Sequence, residues 1–196
     1  MTDTPRVLIC DDESDLLDLY DLWLADVDVT VVRASGGAEA LSRCDDDIDA
    51  AVLDRNMPRV SGDEVLDELR DRSLDIPVAF VSAATPSVRI VDLDIDAYLT
   101  KPVTREEYVD LVRSLIKRES IPETAARYLS YLSKRAALSR SDSRPGIRDD
   151  STYAAFEEDL SRLAAEIEDL HLDDPYLRRT LPDGGVDPVD EFELPG

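Results

Sequence analysis

The chain has 196 residues, of which 43% are hydrophobic, so it can form one large or two small folded domains. Its 45 acidic and 22 basic residues give a formal net charge of −23, which disfavours DNA and anionic membranes as partners. Because the sequence lacks a long uncharged apolar segment and a signal-peptide pattern, we expect a cytoplasmic protein. The acid-rich composition, with 19 Arg and 3 Lys, is similar to that of cytosolic proteins of extreme halophiles.

Apolar segments alternate with helical patterns along the first 118 or so residues. Strands are predicted at residues 6–10, 29–34, 50–54, 77–82 and 97–100, because each is a short apolar or β-branched run. Helical patterns begin near residues 14, 38, 61 and 104, the last two with capping boxes. This alternation implies right-handed crossovers and an α/β fold with a doubly wound, five-stranded parallel sheet.

Polar side chains follow the predicted strands at their carboxyl ends, where sheets of this kind bind ligands. They are Asp11 and Asp12 after the first strand, Asp54 after the third, Ser82 on the fourth and Lys101 after the fifth. Other adjacent acids in the sequence are predicted to lie on the solvated surface. An unpaired charge at the end of an apolar strand would instead be costly, which favours a function for these residues. Three carboxylates, a hydroxyl and an ammonium therefore favour a site for Mg²⁺ and a phosphoryl group.

Four segments in this order resemble the receiver domain of two-component response regulators. They are VLICDDE at residues 7–13, VLDRNMP at 52–58, VSA at 81–83 and YLTKP at 98–102. The resemblance implies a flavodoxin-like fold in which Asp54 is the phosphoacceptor for a sensor histidine kinase. It also implies that Asp12, Asp54 and the backbone carbonyl of Asn56 bind Mg²⁺ directly, with Asp11 acting through water.

The same resemblance assigns roles around the phosphoryl group. Lys101 and Ser82 would contact its oxygens, Ser82 and Tyr98 would form the switch pair, and the peptide bond before Pro102 would be cis. The protein would then be a phosphoacceptor and not an enzyme that turns over an external substrate. Residues 83–97 are short for a full helix between two loops, so we expect the family's helix there to be shortened to a single turn or an extended segment.

The remaining residues predict a helical hairpin and a tail. A capping box beginning at Ser120 predicts a helix, Pro145-Gly146 predicts a turn, and a second helix is expected from residue 151 to 170. The second helix carries a heptad seam at Tyr153, Phe156, Leu160, Leu163, Ile167 and Leu170. This seam can pack within the chain or form an intermolecular coiled coil in a homodimer. We predict a receiver at 1–118, the hairpin at 119–171 and a disordered acidic tail at 172–196.

By position, length and helical character, residues 119–171 resemble the HalX domain of haloarchaeal proteins.

Three function classes stay open. The first is a signalling switch that acts through protein contacts with a downstream target that no motif identifies. The second is a DNA-binding transcription factor, although residues 119–196 hold 18 acidic and 9 basic side chains and no helix-turn-helix spacing; residues 119–150 alone are near neutral. The third, an aspartyl phosphatase, is disfavoured because Asp54-Arg-Asn56 lacks a second acid.

Overall fold

A computed structural model describes residues 4–140 and 150–169 of the chain. The described residues include the strands β1 (Arg6–Cys10), β2 (Thr30–Ala34), β3 (Ala50–Leu53), β4 (Val78–Ser82) and β5 (Ala97–Thr100). These five strands form one parallel sheet in the order β2-β1-β3-β4-β5, which confirms the predicted doubly wound α/β fold. Strand order reverses at β1, so the carboxyl ends of β1 and β3 border the crevice in which such sheets bind ligands.

The described residues form six α-helices. They are α1 (Ser14–Leu24), α2 (Gly37–Arg43), α3 (Gly62–Asp71), α4 (Arg105–Ile116), α5 (Glu123–Arg140) and α6 (Ser151–Asp169). The capping boxes predicted for α3 and α4 are both present, at Ser61 with Glu64 and at Thr104 with Glu107. Each box satisfies backbone N–H groups that the first turn of a helix leaves without partners.

Two apolar cores lie on the two faces of the sheet, because successive strand residues point to opposite sides. Val7 and Ile9 of β1 face a core formed with α1 and α4. Leu8 and Cys10 face a second core formed with α2 and α3, which Ala137 and Leu138 of α5 also join. Every residue of β3 and β4 is buried, as expected for central strands of a parallel sheet.

The connection between β4 and β5 is short, as the sequence predicts. It contains a single 3-10 helix, Val88–Asp92, in place of a full α-helix. Helix α5 instead lies along β5 and also contacts this 3-10 helix. The hairpin therefore packs directly against the edge of the sheet.

Helices α5 and α6 pack against each other within the chain. Phe156, Leu160, Leu163 and Ile167 of the heptad seam are buried, and the last three join a core with Ile121, Ala125 and Tyr128. The seam thus packs within the chain, and the homodimer stays a prediction. The predicted turn at Pro145-Gly146, the seam residue Leu170 and the tail at 172–196 lie outside the described residues.

The predicted start of the first hairpin helix is wrong by two residues, because a capping box at Ser120 would start the helix at Ile121. Helix α5 begins at Glu123, whereas Ser120 closes a 3-10 turn, Arg118–Ser120, and donates its hydroxyl to the Lys117 carbonyl at 2.6 Å. Within the described ranges, no helix combines the length and the apolar content needed to cross a membrane.

Candidate metal and phosphoryl site

Two carboxylates are brought together by the pairing of β1 with β3. Cys10 and Leu53 are partners in the register, so the residues that follow them, Asp11 and Asp54, leave the sheet side by side. The Asp54 amide donates to the Cys10 carbonyl at 2.7 Å, and the Asp11 amide donates to the Ala34 carbonyl at 3.2 Å. These bonds hold the backbone of both aspartates at the end of the sheet, and both residues are buried.

The ammonium of Lys101 lies between these two carboxylates. Its Nζ donates to Asp11 Oδ2 at 2.8 Å and to Asp54 Oδ2 at 3.1 Å, and it is 4.0 Å from Glu13 Oε1. Burial disfavours the charged ammonium, but the hydrogen bonds and charges of Asp11 and Asp54 outweigh burial and raise the pKa of Lys101 above its ordinary value. The lysine therefore stays charged at neutral pH.

The three carboxylates form an unequal group. Burial raises the pKa of Asp11, and its bonds from Lys101 and from the Glu13 amide only partly oppose that rise. Asp12, in contrast, is exposed to solvent. One oxygen atom from each of Asp11, Asp12 and Asp54 lies within 4.8 Å of the others. Octahedral Mg²⁺ with oxygens at about 2.1 Å needs ligand atoms about 3 to 4 Å apart, so small carboxylate rotations would let these residues hold it.

Asp54 accepts hydrogen bonds at both carboxylate oxygens. The Asn56 amide donates to Oδ1 at 3.2 Å, while Lys101 occupies Oδ2. This fixes the carboxylate orientation at the carboxyl end of β3. The predicted role of the Asn56 carbonyl as a metal ligand stays a prediction.

Ser82 and Tyr98 meet at the backbone of Ala84. The fully buried Ser82 accepts a hydrogen bond from the Ala84 amide at its Oγ, at 3.2 Å. The Tyr98 hydroxyl donates to the Ala84 carbonyl at 2.9 Å, and its ring is buried. The Lys101 amide donates to the Ser82 carbonyl at 2.9 Å, and the following peptide bond, to Pro102, is cis. Ser82, Tyr98 and Lys101 are thus joined by short links.

Sequence reasoning missed an arginine beside this group. Arg55 binds Asp63 in the first turn of α3 at 2.9 Å, and its charge acts on Tyr98. Burial of the Tyr98 phenol raises its pKa, and Arg55 only partly offsets this effect. The available signal was an arginine directly after a strand-end aspartate and eight residues before an acid in the first turn of a predicted helix.

Sequence reasoning also missed the polar residues of α5 that bind β5 and the segment before it. The Tyr98 amide donates to Ser133 Oγ at 3.0 Å, and Ser130 Oγ donates to the Ile95 carbonyl at 2.7 Å. Lys134 Nζ donates to the Leu93 carbonyl at 2.8 Å. Serine and lysine on a helix are usual on a solvated face, so their types alone did not mark them as buried.

Comparisons with known proteins agree with this geometry. Residues 7–113 match the family model described as a response regulator receiver domain, and residues 117–180 match the HalX domain. Among solved structures, the chain is similar to a receiver domain from Clostridium thermocellum, with a TM-score of 0.53 and 25% identity over 59% of this chain and 97% of that one. It is also similar to a Francisella response regulator receiver domain, with a TM-score of 0.54 and 28% identity over 59% and 98%.

Curated relatives are similar over part of their length. A Haloferax volcanii protein named as a candidate transcriptional regulator is 43% identical over 136 residues, which is 69% of this chain and 23% of that protein. Response regulator SaeR of Staphylococcus aureus is 33% identical over 116 residues, which is 58% of this chain and 51% of SaeR. The chain thus spans less than two thirds of either relative. The strand-end site and the family match together show that this chain belongs to the response regulator receiver domain family, with a HalX domain after the receiver.

Proposed function

We propose that the protein is a phosphorylation switch in which Asp54 accepts a phosphoryl group from a phosphohistidine of a sensor histidine kinase. The observation that carries this proposal is the buried Asp54 carboxylate at the carboxyl end of β3, held beside Asp11 by the Lys101 ammonium at 3.1 Å. A carboxylate that is fixed in orientation and backed by a cation suits nucleophilic attack on phosphorus.

In the transfer step, an Asp54 carboxylate oxygen forms a bond to phosphorus as the bond between phosphorus and the histidine nitrogen breaks. The electron pair of the broken bond stays on the imidazole, which takes a proton from solvent. The present hydrogen-bond donors to this carboxylate are the Asn56 amide and Lys101. Lys101 is then in place to donate to an oxygen of the transferred group.

Mg²⁺, when bound, would offset the charge of the clustered acids and of the phosphoryl oxygens. We propose Asp12, Asp54 and the Asn56 carbonyl as direct ligands, with Asp11 acting through water. The proximity of one oxygen of each aspartate, within 4.8 Å, supports this assignment. The exposed position of Asp12 also suits a ligand to a partly hydrated ion.

The output that we propose is a change in protein contacts. Ser82 would donate its hydroxyl to the phosphoryl group, and Tyr98 would respond because both residues bind Ala84. A state stabilised by contacts that the resting state lacks is populated at its expense. We keep the predicted division into a receiver at 1–118, a helical output at 119–171 and a tail at 172–196, in a cytoplasmic protein.

Regulation of transcription is a further part of this proposal. The name of the Haloferax volcanii relative supports it, and the excess of acidic residues at 119–196 favours a protein target over DNA. A mobility-shift assay with the phosphorylated protein at molar KCl checks this choice. Sequence-specific retardation of DNA would favour direct binding instead.

Phosphoryl uptake tests the main proposal. The full chain is incubated with acetyl phosphate and Mg²⁺, and intact-mass spectrometry counts the phosphoryl groups. We expect one group on the unchanged protein and none on Asp54→Asn. Asp67→Asn, which changes an exposed aspartate on α3, is the matched control and should take up one group. Uptake by Asp54→Asn equal to that of the control would overturn the assignment.

A further inference from the structure

Among the residues that the structure describes, β5 pairs only with β4, so it is an edge strand of the sheet. Its outer N–H and C=O groups would therefore be free to pair with another chain. Helix α5 covers this edge and binds its backbone through side chains, instead of leaving it to water. The coverage is specific in position because two serines, Ser130 and Ser133, lie three residues apart and so face the same side of the helix.

Ser133 binds both backbone groups of Tyr98. The Tyr98 amide donates to Ser133 Oγ at 3.0 Å, and the Ser133 hydroxyl lies 3.4 Å from the Tyr98 carbonyl, to which it donates. One turn earlier, Ser130 is buried and donates to the Ile95 carbonyl at 2.7 Å. Two helix hydroxyls thus take the place that a sixth strand would occupy.

The hairpin side of this contact also reaches the segment that precedes β5. Lys134 is buried, and its Nζ donates to the carbonyls of Leu93 at 2.8 Å and Val91 at 3.4 Å. Further along the helix, Ala137 and Leu138 enter the same apolar core as Tyr98. Helix α5 therefore fills the side of the sheet that the short β4–β5 connection leaves uncovered.

Tyr98 is also the end of the chain of bonds that begins at the phosphoryl site. Ser82 Oγ accepts from the Ala84 amide, and the Ala84 carbonyl accepts from the Tyr98 hydroxyl. The side chain of Tyr98 is thus tied to Ser82, while its backbone is tied to Ser133. No more than Ala84 and Tyr98 stand between the switch serine and the hairpin.

We propose that Ser133 is a positioning residue that couples Asp54 to the hairpin, so that phosphorylation of Asp54 weakens the docking of α5 on β5. This inference rests on the proposed function, because it needs Ser82 to turn toward a phosphoryl group. When Ser82 does so, the Ala84 segment loses its present bond to Ser82, and the acceptor of the Tyr98 hydroxyl moves. Tyr98 then no longer matches the position that Ser133 and the helix core hold.

Coupling of this kind is reciprocal. If phosphorylation loosens α5, a variant with looser α5 favours the phosphorylated state. The docked hairpin would then stabilise the unphosphorylated state of the receiver. Its release would expose the face of α5 that now covers β5. That face bears Ser130, Ser133 and Lys134.

Hydrogen exchange of the full chain tests this inference. Peptides from β5 and α5 are followed by mass spectrometry with Mg²⁺, with and without beryllium fluoride as a phosphoryl mimic. We expect exchange in α5 to become about 5-fold faster or more with the mimic. Unchanged or slower exchange in a protein whose Asp54 is phosphorylated normally by acetyl phosphate would overturn the inference and leave the proposed function standing.

Three variants test the role of the hydroxyl itself. Ser133→Ala should speed α5 exchange without the mimic and raise the phosphorylated fraction reached with acetyl phosphate by about 3-fold. Ser133→Thr retains the hydroxyl and should restore both values, and Ser139→Ala, at an exposed position of the same helix, should change neither. A phosphorylated fraction in Ser133→Ala equal to that of Ser139→Ala would overturn the coupling.

Failure of the proposed function gives a different pattern. If the unchanged protein takes up no phosphoryl group, the proposed switch and the proposed coupling are both wrong, regardless of the hydrogen-exchange rate measured for α5. If uptake is normal and only the coupling readouts are flat, the coupling alone falls. The two failures are therefore separated by the intact mass of the unchanged protein.

Discussion

Lys101 and Lys134 lie near the two ends of β5, and both are withdrawn from solvent: 11% of the Lys101 side chain and 4% of the whole Lys134 residue are exposed. Their pKa values nevertheless move in opposite directions. At Lys101, burial is outweighed by two carboxylates, and the pKa rises. At Lys134, burial dominates over the more distant charges of Asp96 and Asp94, and the pKa falls to about 8.

The difference lies in what each ammonium binds. Lys101 donates to carboxylates at 2.8 and 3.1 Å, whereas the nearest partners of Lys134 are the carbonyls of Leu93 and Val91. A carbonyl satisfies an N–H group but brings no net charge to balance the ammonium. One end of β5 therefore carries a cluster of opposite charges, and the other is a structural joint between the sheet and the hairpin.

The largest effect that separates the two ends is expected from Lys101→Met. Removing the cation leaves the buried Asp11 and Asp54 carboxylates facing each other, which should lower the free energy of unfolding by about 3 kcal/mol. Millimolar Mg²⁺ should recover most of the loss, because it supplies the missing positive charge. Urea unfolding with and without Mg²⁺ measures this. Lys134→Met is the control, and an equal gain from Mg²⁺ in both variants would contradict the comparison.

The pH dependence of stability is the second prediction. Because the pKa of Lys134 is about 8 in the folded protein and near 10.5 when unfolded, the unfolded state binds more protons between these values. The contribution of Lys134 to the free energy of unfolding should therefore rise as pH goes from 8 to 10.5, by up to about 3 kcal/mol, and it should be constant below pH 8.

Lys134→Met should lack that gain. The quantity to plot is the difference in unfolding free energy between the wild type and Lys134→Met, which removes the contribution of other titrating groups. A difference that stays constant across this range, or shifts in favour of the variant, would show that Lys134 is not held at a lowered pKa.

The strand-end site was predictable because its residues follow apolar strands, and parallel strands that are neighbours bring their ends together. Asp11, Asp54 and Lys101 were located in this way, and the register of β1 with β3 places the two aspartates side by side. Their unequal burial was not predictable, because it depends on which of Asp11 and Asp12 turns toward Lys101. Two adjacent aspartates in a sequence do not indicate which of the two side chains will be buried.

The joint between α5 and β5 could not be predicted from the sequence, for a different reason. Ser130, Ser133 and Lys134 follow helical spacing, but polar residues at such spacing normally indicate a solvated face. Their burial follows from the short β4–β5 connection, which leaves room beside β5 for a helix from elsewhere in the chain. The sequence predicted the short connection and the hairpin separately, and only the tertiary structure joins them.

Ser130→Ala measures the strength of that joint. The variant leaves the outward Ile95 carbonyl buried without its serine partner, so the free energy of unfolding should fall by about 1 to 2 kcal/mol. Ser139→Ala, at an exposed position of the same helix, should stay within about 0.5 kcal/mol of the wild type. Urea unfolding compares the two, and equal stabilities would mean that α5 does not seal β5 through this hydroxyl.

Monovalent salt should have the smallest effect on stability, and this effect should come from the whole chain and not from one site. At about 1 M salt the Debye length is about 3 Å, against about 10 Å at 0.1 M, so the repulsion from the net charge of −23 is screened. The melting temperature should rise by several degrees from low to molar KCl, in the wild type and in Lys134→Met alike. A melting temperature that does not change with KCl concentration would contradict the halophile-like interpretation of the composition. It would leave the assignment of the strand-end site unaffected.

The most direct test of the central claim is chemical mapping of the phosphorylated residue. The wild-type chain is phosphorylated with acetyl phosphate and Mg²⁺, reduced with borohydride, which converts an aspartyl phosphate to homoserine, and digested for peptide mass spectrometry. We predict the mark at position 54 alone, with Asp11 and Asp12 unmodified in the same sample. A mark on Asp11 or Asp12, or on no aspartate while Asp54 stays intact, would contradict the assignment of Asp54 as the phosphoacceptor.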